Sequence, residues 1–165
     1  MKKKSIILII ISIILIVYTY TLLCLHKDTI AMQSGDKYLP LYKGMFTYII
    51  ENNKDLVNDI EYIAFDPYSF KLIRATDQKE LSTMLNKYTN NIILGSFNIL
   101  NNEDFTNSDG TMKGIYIYAT NFEEAGNRLK LDYTLYRGNK SIITYTVKAT
   151  YHNNNWKVKY TEYKV

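Results

Sequence analysis

The stretch IITYTVKATYHNNNWKVKYT, residues 142–161, decides the fold of this chain. Apolar and polar side chains alternate on both sides of its asparagine run, and a period of two is typical of β-strands with one buried and one exposed face. When Tyr151 is matched with Trp156, Asn153 and Asn154 are left as a two-residue loop. Asparagine tolerates the left-handed backbone that such a loop requires. The stretch therefore predicts an antiparallel β-hairpin.

Two further alternating segments precede this hairpin, so it belongs to a larger meander. The apolar positions of the four segments are Ile115, Ile117 and Ala119; Leu129, Leu131, Tyr133 and Leu135; Ile143, Tyr145, Val147, Ala149 and Tyr151; and Trp156, Val158 and Tyr160. Matching Leu135 with Ile143 leaves the odd connection Gly138-Asn139-Lys140, which predicts a three-residue loop with a bulge. We expect four antiparallel strands with one buried face and one wet face.

Helical periodicity dominates the residues before the meander. Pro40 suits the first turn of a helix, and apolar side chains at helical spacing predict a helix from about Lys37 to Asn52. Asp77 and Glu80 match a capping box, in which the carboxylate of Asp77 accepts a free amide hydrogen of the first turn. This motif predicts a second helix over Asp77–Tyr88.

The segments between these elements are shorter and less regular. Asp55 is placed to cap a helical stretch over residues 56–64, whereas Glu61–Phe65 also favours a short strand, and the pattern leaves both interpretations open. Residues Ile92–Leu100 predict a strand. Helices followed by a meander predict an α+β domain in which the helices pack on one side of a curved antiparallel sheet.

The amino-terminal residues predict a membrane anchor. Three lysines at positions 2–4 precede an uncharged run from Ser5 to Leu25, which as an α-helix spans about 31 Å, the thickness of the hydrocarbon core. By the positive-inside rule, residues 1–4 form a cytoplasmic tip and residues 5–25 a transmembrane anchor or uncleaved signal. Residues 26–36 then form a tether, and residues 37–165 an extracytoplasmic domain. Cleavage near Ala31 and secretion is the alternative, although the apolar run exceeds the core of about 7–15 residues found in signal peptides.

Charge and cysteine content exclude several function classes. The formal net charge is +4, but residues 1–28 carry +3 of it, so the exported part is nearly neutral and gives no reason to expect nucleic acid as a partner. Within that part, residues 33–111 hold 7 basic and 11 acidic side chains, and residues 112–165 hold 9 and 4. The only cysteine is Cys24, so a disulfide framework is excluded.

No residue pattern predicts catalysis, a metal site or a cofactor. The two histidines are His26, at the predicted membrane boundary, and His152, beside the asparagine turn, and they share no ligand spacing. The serines lie in no Gly-x-Ser-x-Gly motif, and the glycines form no phosphate-binding loop. The acidic groups are Glu103, Asp104 and Asp109, which lack the register of a calcium loop, and Glu123 with Glu124, which are expected at a solvated hairpin tip.

Two groups of side chains on the predicted sheet are the candidates for binding. The exposed face carries a basic stripe that suits an anionic wall polymer, lipid headgroups or an acidic protein, with ordinary solvation as the alternative: Arg128, Lys130, Lys148, Lys157 and Lys159. The face under the helices carries aromatic residues that either fill the core or line a ligand pocket: Tyr133, Tyr145, Tyr151, Trp156 and Tyr160.

The order of helices followed by a long meander, ending in YHNNNWKV at residues 151–158, resembles the NTF2-like and cystatin-like α+β architecture. Residues 58–66 (NDIEYIAFD) are similar to a segment of small exported proteins of low-GC Gram-positive bacteria. Neither resemblance implies an activity, because this fold serves both enzymes and binding modules. The Asp–His and Tyr–Asp sets that enzymes of this fold use have no counterpart here.

The sequence as a whole predicts a non-enzymatic, membrane-tethered extracytoplasmic module that binds an envelope protein or an anionic wall polymer. Two alternatives remain. One is an accessory subunit of an envelope or conjugation machine similar to the VirB8 and TcpC families, which combine one anchor with NTF2-like domains. The other is a small-ligand pocket protein.

Overall fold

The computed structural model describes residues 11–23, 37–72, 74–100, 103–138 and 141–164. Residues 11–23 are helical and their side chains are exposed. Among the described residues, none of the helices combines the length and the apolar character needed to cross a bilayer. The ends of the predicted anchor and the whole predicted tether lie outside the described residues.

The described residues from 37 to 164 form a folded body with three α-helices and six strands. The helices are α1 (Tyr38–Glu51), α2 (Lys54–Val57) and α3 (Ala75–Leu85), and the strands are β1 (Ile63–Phe65), β2 (Ile92–Leu94), β3 (Ile115–Ala125), β4 (Arg128–Tyr136), β5 (Ile142–His152) and β6 (Asn155–Lys164). Two short 3-10 turns, Phe97–Leu100 and Glu103–Phe105, lie between β2 and β3. The predicted α+β class is confirmed.

The four-stranded meander is confirmed, with the predicted registers. Tyr151 pairs with Trp156, and the two turn asparagines have φ angles of 49° and 62°, so both adopt the left-handed backbone. Leu135 pairs with Ile143. The Arg137 amide donates to the Ser141 carbonyl at 3.0 Å, which closes a three-residue connection beginning at Gly138. Residues 139 and 140 lie outside the described part of the chain.

The sheet is mixed rather than purely antiparallel, which corrects the prediction. Its strand order is β2-β1-β3-β4-β5-β6, and β1 runs parallel to both β2 and β3. The two interpretations of residues 55–65 are both partly correct, because the four-residue α2 precedes β1. Strand β2 stops at Leu94, since the chain turns at Gly95 and enters a 3-10 turn, so the predicted strand to Leu100 is too long.

The main core lies between the helices and one face of the sheet. Met45, Phe46 and Ile49 of α1 are fully buried, and Leu81 and Leu85 of α3 join them. The spacing of these α1 residues confirms the predicted amphipathic helix. Removing a large side chain at such a site costs about 2–5 kcal/mol of stability. Helices α1 and α3 thus cover the inner face of the meander.

The predicted capping box at Asp77 is wrong. Helix α3 starts at Ala75, which places Asp77 inside the first turn, and no side chain caps its amino end. The carboxylate of Asp77 instead accepts hydrogen bonds from Arg74 Nε at 2.8 Å and Arg74 Nη2 at 2.7 Å. An acidic side chain in the first helical turn is also favoured by the helix dipole.

The outer face of the sheet is only partly wet, which also corrects the prediction. A second, smaller core covers the part of this face that is formed by β1 and the start of β3. It consists of Tyr62, Ala64, Leu100, Met112 and Tyr116. A bulge at Thr120 then shifts the register of β3 against β4 between Ala119 and Asn121. The bulge is held by Ser69, whose Oγ accepts the amide hydrogen of Ala119 at 3.0 Å. Beyond the bulge, Lys148, Lys157 and Lys159 of the outer face are exposed to solvent.

Candidate functional site

The open part of the outer face carries the five predicted basic residues, here called the basic face: Arg128, Lys130, Lys148, Lys157 and Lys159. Lys130 is paired with Lys148, and Lys148 with Lys159, so three lysines form one row across β4, β5 and β6. In the neighbouring row, Thr150 lies between Arg128 and Lys157. Directly opposed residues in antiparallel strands have Cβ atoms about 4.5–5.5 Å apart. The predicted basic stripe is therefore a continuous surface.

Glu123 and Asp132 are the acidic groups that act on Lys130. Lys130 forms an ion pair with Glu123 of β3 at 3.0 Å, and this contact raises the pKa of the Lys130 ammonium. Hydrogen bonds from Asn121 and then from Lys130 lower the pKa of Glu123. Among the described residues, the other four basic side chains form no ion pair. Like charges directly opposite each other destabilise a sheet, so this row of lysines lowers the stability of the fold.

A shallow groove at this end of the sheet brings several basic groups together. Its volume is about 610 Å³, and its lining includes Arg128, Lys130, Lys148 and Thr150 together with Glu123 and Glu124. Three cations and a threonine hydroxyl thus border the same groove, beside two carboxylates. Bidentate donation from arginine and point charges from lysine are the usual means of holding carboxylate or phosphate.

The predicted pocket residues belong to the core. Tyr133 and Tyr145 are fully buried and Tyr151 is 2 % exposed, while Trp156 and Tyr160 are partly buried and pack against the same cluster. Burial raises the pKa of the Tyr145 phenol to about 12, and it raises the pKa of Tyr133 further. These side chains pack beneath α1 and fill the space assigned to the predicted ligand.

Protein groups hydrogen-bond the hydroxyls of the two fully buried tyrosines, Tyr133 and Tyr145. Tyr133 donates to the carbonyl of Met45 at 3.2 Å. Tyr145 accepts from Asn53 Nδ2 at 3.0 Å and donates to Glu162 Oε2 at 3.1 Å. A buried phenol needs such partners, and here they come from α1, from the residues after it and from β6. This hydrogen-bonding pattern supports a structural role for the aromatic set.

The remaining candidates are the acidic residues and the two histidines. Glu123 and Glu124 are adjacent on β3, so their side chains point to opposite faces of the sheet. Asp109 accepts hydrogen bonds from the amide and hydroxyl of Thr111 within its own turn. His152 is exposed at the end of β5, and His26 lies outside the described residues. In the part of the chain that the structure describes, no three His, Cys, Asp or Glu side chains form a group able to hold a metal ion.

Sequence reasoning missed one contact that bears on this surface. Trp156 Nε1 donates to the carbonyl of Lys37 at 2.6 Å, and the indole ring stacks on Tyr38 with centroids 6.0 Å apart. Period two places Trp156 on the inner face but does not name its partner, which is 119 residues away. Comparison with protein-family models, with curated proteins and with solved structures gives no match to this chain, so the NTF2-like assignment stays a prediction.

Proposed function

We propose that this protein is a non-enzymatic binding module, tethered to the outer side of the cell membrane, which captures an anionic partner through the basic face. The partner is an envelope protein or an anionic envelope polymer. The observation that carries the proposal is the cross-strand row of Lys130, Lys148 and Lys159. Among the described residues, two of its three lysines, Lys148 and Lys159, form no ion pair.

The membrane part of the proposal depends on the sequence of the first 36 residues. An uncharged run from Ser5 to Leu25, preceded by three lysines, favours a single span with the amino terminus inside. Protease added to intact cells should then degrade residues 37–165 and spare a short amino-terminal fragment. Recovery of the intact polypeptide from the cytosol would overturn this placement.

Charge reversal tests the basic face. Lys148→Glu with Lys159→Glu changes the net charge by four units at the centre of the row. Lys54→Glu with Lys79→Glu makes the same change on exposed positions of α2 and α3 and is the matched control. Each surface contact of opposite charges is worth about 1 kcal/mol, so loss of two lowers affinity by about 30-fold.

The assay is crosslinking of the full chain in intact cells, followed by quantification of the crosslinked products. The wild type and the control variant should give the same products. The Lys148/Lys159 variant should lose them, provided that its circular dichroism and melting temperature match those of the wild type. Equal crosslinking by a folded Lys148/Lys159 variant would refute the assignment of the basic face as the binding surface.

A further inference from the structure

The chain enters its folded body at the end of the sheet that bears the basic face. Lys37 is the first described residue of this body, and its carbonyl accepts the hydrogen bond from Trp156. Its ammonium lies 4.6 Å from the ring centroid of Tyr151 and 3.4 Å from Asn154 Oδ1. These contacts hold the start of α1 against the β5–β6 turn. We call this end of the sheet the entry end.

The turn between β3 and β4 lies at the entry end as well. The amide of Tyr151 donates to the Asn127 carbonyl at 2.8 Å, and Asn127 Nδ2 donates to the Tyr151 carbonyl at 2.9 Å. Arg128 is the first residue of β4, and Lys130 is two residues further along. At a strand rise of about 3.3 Å per residue, the basic face begins at the entry end and extends roughly 10 Å from it.

The opposite end of the sheet carries an acidic loop. Asp109 and its turn pack beside Gly138 of the β4–β5 connection, and the Met112 amide donates to the Arg137 carbonyl at 3.3 Å. Two cations at this end are hydrogen-bonded to backbone carbonyls, since Arg137 donates to the Leu56 carbonyl at 2.7 Å and Lys113 to the Asp104 carbonyl at 3.0 Å. These bonds leave both positive charges in place, near Asp104 and Asp109. Among the described residues the entry end is the more positive one, because Lys37 and the basic face supply six cations there against Glu123 and Glu124, which gives a charge gradient along the strands.

We infer that the entry end docks on anionic phospholipid headgroups of the same bilayer that holds residues 5–25. This inference rests on the proposed membrane tether, and it assigns the basic face to lipid headgroups in place of the envelope protein or polymer. The tether of residues 26–36 reaches at most about 40 Å when fully extended. The entry end is thus confined near the headgroups, where a tethered surface experiences a local partner concentration of roughly millimolar.

A planar anionic surface suits this distribution of charge. A charge gradient along the strands turns the body until its positive end faces a negative plane, and the acidic loop is then farthest from that plane. Each basic residue within a Debye length of about 8 Å of an anionic bilayer strengthens binding about five-fold. Lys37 and the basic face together supply six such cations at one end of the body. Glu123 and Glu124 are the acidic residues of the adjoining β3 end and reduce the attraction in part.

Trp156 allows a direct test, because it is the only tryptophan in the chain and lies at the entry end. The full chain is reconstituted into vesicles of phosphatidylcholine, with or without phosphatidylglycerol, that contain a dansyl-labelled headgroup lipid. Energy transfer from Trp156 to dansyl should be higher in the vesicles with phosphatidylglycerol. The increase should disappear at high salt. Lys148→Glu with Lys159→Glu should weaken docking by about 25-fold or more, and the Lys54/Lys79 control should keep it.

The possible outcomes separate this inference from the proposal on which it rests. Equal energy transfer in both vesicle types, with the chain incorporated, would overturn the lipid inference and leave the tether standing. If charge-dependent crosslinking to a protein persists in cells in that case, the basic face binds a protein partner. Failure of the chain to float with vesicles of either composition would overturn both the inference and the tether.

Discussion

Replacement of Gly114 by alanine is the sharpest test of how β1 joins the meander. A Cβ atom at this position lies 2.3 Å from the backbone oxygen of Tyr62 and 2.6 Å from its ring. The flanking backbone is fully engaged, because the Glu61 amide donates to the Lys113 carbonyl at 2.8 Å and the Ile115 amide to the Tyr62 carbonyl at 3.1 Å. The new methyl group therefore cannot be accommodated by a side-chain rotation alone.

The expected loss of stability follows from this geometry. Relief of the clash requires β1 to move away from β3 by about 1 Å, since ordinary contacts are near 3.5 Å. Overpacking of this kind costs about 1–3 kcal/mol. The smaller conformational freedom of alanine in the unfolded chain returns about 0.4–1 kcal/mol. We expect a net loss of roughly 1–2 kcal/mol, which lowers the Tm of a body of this size by about 3–8 °C.

Gly44→Ala is the matched control. Gly44 lies inside α1, and its added Cβ meets only the Tyr160 hydroxyl at 3.7 Å, an ordinary contact. Alanine is favoured over glycine in a helix by about 1 kcal/mol, so this variant should be more stable than the wild type. Thermal unfolding of the full chain in mild detergent, followed by circular dichroism, measures both variants. A Gly114→Ala variant as stable as the wild type would refute the proposed close contact of β1 and β3.

Two further predictions concern the turn and the buried tyrosines. Asn153→Ala places alanine at a φ of 49°, where a left-handed backbone costs about 1–2 kcal/mol. Chemical unfolding should detect this loss of stability. Asn90→Ala, in an exposed connection, is the control and should have little effect. Burial raises the pKa values of Tyr62, Tyr116 and Tyr145 to about 12, so the unfolded chain loses these protons first and stability should fall as the pH rises from about 10 to 12. Tyrosinate absorbance and circular dichroism should then change together, and ionisation of all tyrosines without unfolding would contradict this account.

The meander, the registers of its last two hairpins and the amphipathic helix α1 could be predicted from the sequence alone. These features depend on local information, because the period of the side chains sets the face of each strand and the turn residues set the register. The register of β4, β5 and β6 also places the residues of the basic face side by side, since residues on one side of paired strands align in rows. The residues that form this surface could therefore be predicted from the sequence.

The contacts between distant segments of the chain could be seen only in the three-dimensional structure. The parallel strands β1 and β2, the second core on the outer face and the bulge at Thr120 all depend on contacts between residues far apart in the chain. The same is true of the aromatic side chains, whose alternation suits a pocket as well as a core until α1 is seen to cover them. The contact of Trp156 with Lys37 placed the start of the folded body beside its basic residues. No local pattern encodes such a contact, because side-chain periodicity specifies the face on which a residue lies and leaves its partner across the core unspecified.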